Sequence, residues 1–245
     1  MNALLWRIAN TIQAAVMLSW TGFGISLVLP LTAVSGRRRL PLVLARRIWA
    51  PGILRFACAR LEVEGGEWID PTRPLFFVAN HGSILDIPAV FAALPSDLHF
   101  MVKQELRRQP FLGWFIAATG MILVDRSKRV GALASARRAT ELIRSGGSVM
   151  AFPEGTRSRS GAIGEFKSGT FIPAIESQVP VVPVGIRGAA AVVPPDRFYG
   201  RPGTIRVVVG GAIPTARLTL DDRRRLAEEA RARVVELSAA PNSVP

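Results

Sequence analysis

From Leu75 onward the chain repeats one alternation: a short apolar run, a polar turn, then a longer helical stretch. The apolar runs fall at 75–79, 98–102, 121–124, 149–152, 181–186 and 205–209. The helical patterns fall at 87–93, 110–118, 130–144, 169–177 and 220–237. An apolar run without polar alternation fits a strand covered on both faces, and helices between such strands supply the cover. The alternation therefore predicts an α/β fold, a single layered domain with a mostly parallel or mixed sheet flanked by helices. A length of 245 residues is enough for one full core. The last helix has its own cap signal, Thr219-x-x-Asp222, and apolar positions at Leu226, Ala230, Val234 and Leu237, so it reads as a packing helix.

The first sixty residues read differently. Residues 8–34 carry no charge, and as one helix they would reach about 40 Å at 1.5 Å per residue. Asn10, Gln13, Gly22 and Gly24 dilute the stretch, and Pro30 is expected to break it. Residues 40–60 mix leucine, isoleucine and Trp49 with arginine, and Pro51-Gly52 is expected to kink them. No acidic residue precedes Glu62, whereas eight arginines do, beside a whole-chain net charge of +13. Apolar bulk, aromatics and arginine together fit a membrane interface better than a nucleic acid. The expectation is an N-terminal membrane-associating helical pair over 1–61 and a catalytic domain over 62–245. Arginines after Val34 place that domain on the cytoplasmic face of the cell inner membrane, anchored there or lying as a monotopic protein. Ala33-Val34-Ser35 has the small residues of a signal cleavage site, but Arg37, Arg38 and Arg39 follow at once, which favours an anchor. The one cysteine, Cys58, fits a reducing compartment and reads as a packing residue.

Two motifs carry chemistry. Asn80-His81-Gly82-Ser83-Ile84-Leu85-Asp86 follows the first apolar run and precedes Pro88. Proline is tolerated in a helix's first turn, so a helix should begin near Asp86, with His81 in the turn before it. An imidazole beside a carboxylate is a general base with an orienting acid. Equally, Ser83-x-x-Asp86 has the form of a capping box. The second motif, Phe152-Pro153-Glu154-Gly155-Thr156-Arg157-Ser158-Arg159, follows another apolar run. Gly155 allows a tight turn, Arg157 and Arg159 offer planar donor forks suited to phosphate, and Thr156 adds a hydroxyl. Glu154 would position an arginine or meet a substrate hydroxyl. The same composition also describes an exposed charged turn.

Together the two segments resemble the glycerolipid acyltransferase family, in particular bacterial 1-acylglycerol-3-phosphate acyltransferases. His81 and Asp86 match that family's H-x-x-x-x-D motif, and Pro153 to Ser158 match its P-E-G-T-R-S motif. Weaker blocks, Lys103-x-Glu105-Leu106, Gly120 to Arg126 and Val179 to Val184, follow the family pattern in order. The resemblance implies transfer of a fatty acyl group from acyl-CoA or acyl-carrier protein to lysophosphatidic acid, giving phosphatidic acid. His81 would deprotonate the acceptor hydroxyl and Asp86 would hold it. Arg157, then Lys103, Arg126 and Lys167, would bind the substrate phosphate, and Glu154, Gly155 and Thr156 would form the substrate-binding loop. Backbone N–H groups near the helix start would stabilise the oxyanion. Membrane lipids are expected partners; no cofactor, metal or nucleic acid is expected. Two other readings stand beside this one. One is an acyltransferase acting on another lysolipid, such as an amino-acid lipid or a glycolipid precursor. The other is a lipid-directed serine hydrolase using Ser83, although the G-x-S-x-G elbow is absent.

Overall fold

The computed structural model describes residues 3–36, 39–125, 129–195 and 200–239. Its centre is a seven-stranded sheet in the order β1-β7-β6-β2-β5-β3-β4. The strands are β1 (Ala59–Glu64), β2 (Phe76–Ala79), β3 (Leu98–Lys103), β4 (Ile122–Val124), β5 (Ser148–Ala151), β6 (Val181–Arg187) and β7 (Gly203–Val209). β6, β2, β5, β3 and β4 run parallel, and β7 turns antiparallel to β6 while pairing parallel with β1. The sheet is thus mixed, and five of its strands end along one edge.

Every residue of β2 and β5 is buried, because alternate side chains enter two different helical layers. Phe77, Ala79 and Met150 join the layer of α2 (Leu40–Leu44), α3 (Ala50–Phe56) and α4 (Asp86–Ala93). Phe76, Val78, Val149 and Ala151 join the layer of α6 (Arg129–Arg144), α7 (Ile172–Ser177) and α9 (Arg223–Ala239). The remaining helices are α1 (Ala3–Ser35), α5 (Leu112–Thr119) and the short α8 (Ala189–Val192).

β1 was not among the expected strands. Arg60, Glu62 and Glu64 interrupt its apolar signal, yet Glu62 stands directly opposite Arg206 of β7. Arg206 donates to Glu62 at 2.7 Å and lies 3.2 Å from Glu64, so the charges that hide the strand also fasten it.

The helical pair is present, but Pro30 does not end α1, which runs to Ser35. A proline late in a helix removes one backbone bond and leaves later turns intact. The helix instead stops at Gly36, whose φ of +66° and N–H to the Thr32 carbonyl form a left-handed cap. Before Pro51 the second helix widens into a π turn, Ala45–Trp49, which absorbs the proline without a break. α1 docks on it closely. A Cβ on Gly52 would stand 2.5 Å from the Trp20 indole, so only glycine lets the two helices approach. The Trp20 indole N–H donates to the Trp49 carbonyl, and that of Trp49 to the Thr21 hydroxyl.

The two helices divide the apolar bulk unequally. Leu42, Ala50, Ile53 and Leu54 are buried under the sheet, so the second helix belongs to the core. α1 instead exposes Leu18, Phe23, Leu27, Leu31 and Val34. It is long and apolar enough to cross a bilayer, and this suits membrane association. Cys58 is not a packing residue: it is exposed, at φ +54°, where the chain leaves α3 for β1.

Candidate active site

β2 ends at Ala79, and Asn80 continues its pairing with a side chain. Asn80 Nδ2 donates to the Ile186 carbonyl at 2.7 Å, and its Oδ1 accepts the Ile186 N–H at 2.8 Å. That clasp fixes the start of the next turn against β6.

His81 follows. Its Nδ1 lies 2.8 Å from Asp86 Oδ2, and the same oxygen accepts the N–H groups of Gly82 at 2.7 Å and Ser83 at 2.8 Å. Asp86 is the first residue of α4 and is 1% exposed. A buried carboxylate needs donors, and three of them plus the N-terminal end of α4 supply that need. The two sequence readings of Asp86 therefore merge, since one carboxylate both closes the turn and aims the ring. A ring nitrogen facing a carboxylate holds the proton, which leaves Nε2 as the basic nitrogen. The Gly82 and Ser83 amides are occupied by Asp86, and the Leu85 amide donates to Ser83 Oγ at 3.2 Å, so these three are not free for an oxyanion.

The second motif holds His81 from the other side. Phe152 leaves β5 and stacks on the imidazole with centroids 4.1 Å apart and 17° between planes. Glu154 Oε1 accepts the His81 N–H at 2.8 Å, and its Oε2 accepts the Gly164 N–H at 2.9 Å. The Ser158 N–H returns a bond to the His81 carbonyl at 2.7 Å. Both backbone groups of His81 are thus held by the loop that follows β5. Glu154 faces main-chain amides here and forms no ion pair with an arginine among the described residues.

Gly155, at φ +80°, closes the turn by donating to the Phe152 carbonyl at 3.0 Å. Thr156, Arg157 and Arg159 are exposed and line an open depression of about 410 Å³ with Glu154 and Ser158. Arg157 precedes Ser158, whose N–H bonds the His81 carbonyl, so the Arg157 backbone lies beside the turn that carries the imidazole. Lys167 is tied through its N–H to the Pro153 carbonyl at 3.1 Å, and its side chain is exposed. Lys103 ends β3, one strand beyond β5, and lies 3.3 Å from Glu105. All of these stand on the edge where the parallel strands finish, the usual ligand edge of an open α/β sheet. Arg126 lies outside the described residues.

Ser83 is fully buried, and its hydroxyl donates to the Val193 carbonyl at 2.7 Å rather than to His81. A hydrolase nucleophile would need that hydroxyl on Nε2. Sequence reasoning missed the stacking role of Phe152 and the amide-binding role of Glu154. Their adjacency to Pro153-Gly155 was a signal of position but not of contact.

The mixed sheet carries an aimed histidine–aspartate pair at its carboxyl edge, and the family profile described as Acyltransferase matches residues 60–187, so the chain belongs to the acyltransferase family. Among curated relatives, the 1-acyl-sn-glycerol-3-phosphate acyltransferase alpha of Mus musculus is 33% identical over 220 residues, covering 86% of this chain and 75% of the relative. A 1-acyl-sn-glycerol-3-phosphate acyltransferase of Chlamydomonas reinhardtii is 31% identical over 198 residues, covering 71% of this chain. The chain spans 59% of that relative, and 54% and 55% of relatives from Brassica napus and Saccharomyces cerevisiae. The crystal structure of the 1-acyl-sn-glycerophosphate (LPA) acyltransferase PlsC from Thermotoga maritima superposes with a TM-score of 0.83 at 25% identity, covering 99% of this chain and 100% of that one.

Proposed function

We propose that the chain acylates the free hydroxyl of 1-acylglycerol-3-phosphate from an acyl thioester, forming phosphatidic acid at a membrane. The observation that carries this reading is the 2.8 Å contact between His81 Nδ1 and Asp86 Oδ2, which leaves Nε2 as base. Nε2 takes the hydroxyl proton as the oxygen attacks the thioester carbonyl. The tetrahedral adduct then expels the thiolate, which recovers the proton from His81. Base catalysis of this kind contributes about 10²–10⁴ in rate. Arg157 is the first candidate for the acceptor phosphate, with Lys103, Lys167 and Arg126 after it. Arg157 is exposed and stands one residue before the Ser158 link to His81. That the relatives are 1-acyl-sn-glycerol-3-phosphate acyltransferases supports a lysophosphatidic acid acceptor.

The test is an acyl-transfer assay of purified protein with acyl-CoA and acyl-carrier protein as donors. Lysophosphatidic acid and phosphate-free lysolipids serve as acceptors. His81→Ala should lower kcat by at least a hundredfold with lysophosphatidic acid. Arg157→Ala should raise KM for that acceptor only. Equal transfer to a phosphate-free lysolipid would remove the phosphate role from Arg157 and favour another lysolipid as acceptor. The burial of Ser83 opposes the hydrolase reading, and Ser83→Ala should retain more activity than His81→Ala.

A further inference from the structure

Between β3 and α5 the chain presents bulk that the core does not use. Phe111 is 45% exposed and Trp114 59% exposed, with ring centroids 5.4 Å apart at 68°. Arg107 and Arg108 end the 3₁₀ turn Gln104–Arg108 just before them; both are exposed, and neither pairs with a carboxylate among the described residues. The inner side of the same segment is well anchored. Gly113 and Ile116 are buried, the Gly113 N–H bonds the Gln109 carbonyl at 2.8 Å, and a Cβ on Gly113 would meet the Arg107 carbonyl at 2.1 Å. The aromatic pair therefore stands on a firm base and faces outward by construction. α5 packs against α1 and α2, which places the pair beside the helix that exposes Phe23, Leu27, Leu31 and Val34.

We propose that Arg107 to Trp114 form a second membrane contact, with Phe111 and Trp114 seated in the headgroup region of an anionic bilayer and Arg107 and Arg108 on its phosphates. The Trp114 indole joins an apolar ring to a polar N–H and so favours that depth, Phe111 adds apolar area beside it, and the neighbouring arginines gain from negative surface potential. The packing of α5 against α1, a helix long and apolar enough to cross a bilayer, selects lipid over a protein partner. The 3₁₀ turn starts where β3 ends at Lys103, so this contact would hold the carboxyl edge of the sheet against the lipid. The inference concerns the surface alone and does not depend on the reaction.

The test uses the full chain in a Cys58→Ser background, reconstituted in phosphatidylglycerol vesicles. An environment-sensitive fluorophore is placed at Phe111→Cys, and in separate samples at Trp114→Cys, Phe23→Cys and Arg233→Cys. The last lies on α9, in the opposite layer. Labels at 111 and 114 should emit to the blue and be quenched by spin-labelled lipid, as at 23, while the label at 233 stays in water. Arg107→Glu with Arg108→Glu should reduce quenching at 111 severalfold in phosphatidylglycerol and leave it unchanged in phosphatidylcholine. Water-like emission at both 111 and 114, matching 233, would overturn the proposal. So would labels that ignore lipid yet shift on addition of an acidic carrier protein, which would make the patch a protein-docking surface.

Discussion

Asp86 concentrates three hydrogen bonds on one buried oxygen, and this makes its two substitutions distinguishable. Asn at position 86 can keep an oxygen in that place and preserve the turn while losing the charge that favours imidazolium. Asp86→Asn should therefore depress kcat strongly with a small change in Tm. Asp86→Ala strands the amides of Gly82 and Ser83, each at a cost of about 1–3 kcal/mol, and should lower Tm as well. Thermal denaturation beside initial rates separates the two. Glu154 gives a second test at this scale. It holds the His81 and Gly164 amides, so Glu154→Ala should lower kcat at least tenfold and change KM for the acceptor little. A rise in KM with unchanged kcat would make Glu154 a substrate ligand instead. His99 provides a pH signature. Burial pushes its imidazole below the ordinary value near 6.5, against smaller opposing pulls from the Gly120 and Thr119 backbone. The folded state thus keeps His99 neutral at pH values where the unfolded chain takes a proton. Its stabilising effect is complete above about pH 6.5 and is lost as pH falls below it. His99→Gln should flatten that acid limb of Tm against pH.

Among the elements, legibility followed burial. β2, β5 and β6 are covered on both faces, so their apolar runs announce them directly. The register of the two chemical motifs after β2 and β5 was equally plain, because each begins where an apolar run stops. β1 was hidden by Glu62 and Glu64, whose partner Arg206 lies 144 residues along the chain from Glu62. The bond from Glu154 to the His81 amide had no sequence signal, because a backbone donor is the same at every residue. Helix ends at prolines were misread where context repaired the loss, as at Pro30 and at the π turn before Pro51. The helix–helix contact at Gly52 carries its own expectation. Gly52→Val should push Trp20 away, weaken the docking of α1 and lower Tm by several degrees, with a shift in tryptophan emission as the readout. Gly22→Ala, which meets no atom within 4 Å, is the matched control.

For the whole molecule, the +13 charge and the exposed face of α1 act together. Attraction to anionic lipid is screened by salt over about 8–10 Å at physiological ionic strength. Apolar insertion is far less sensitive. Raising sodium chloride from 0.05 to 0.5 M should therefore reduce transfer to acceptor carried in phosphatidylglycerol vesicles, with little change in phosphatidylcholine. Equal salt response in both lipids would leave the charge without a role at the surface. The N-terminal helices also show how far composition could lead. It found the apolar stretch and its arginines, but only packing shows that α1 keeps the exposed face while the second helix is drawn under the sheet.

The bonds from Glu154 and Ser158 to the backbone of His81 have a consequence for the chain during its synthesis. The histidine emerges from the ribosome 73 residues before the carboxylate that fixes its amide. Until Gly164 has also cleared the exit tunnel, the main chain of His81 lacks the bonds that hold it, although Asp86 is already there to face the ring. The His81 turn is therefore completed late in translation, since the loop after β5 must join β2 and Ile186 must follow before Asn80 has its clasp. A nascent chain shorter than that would present the apolar face of α1 before the turn that carries His81 is fixed.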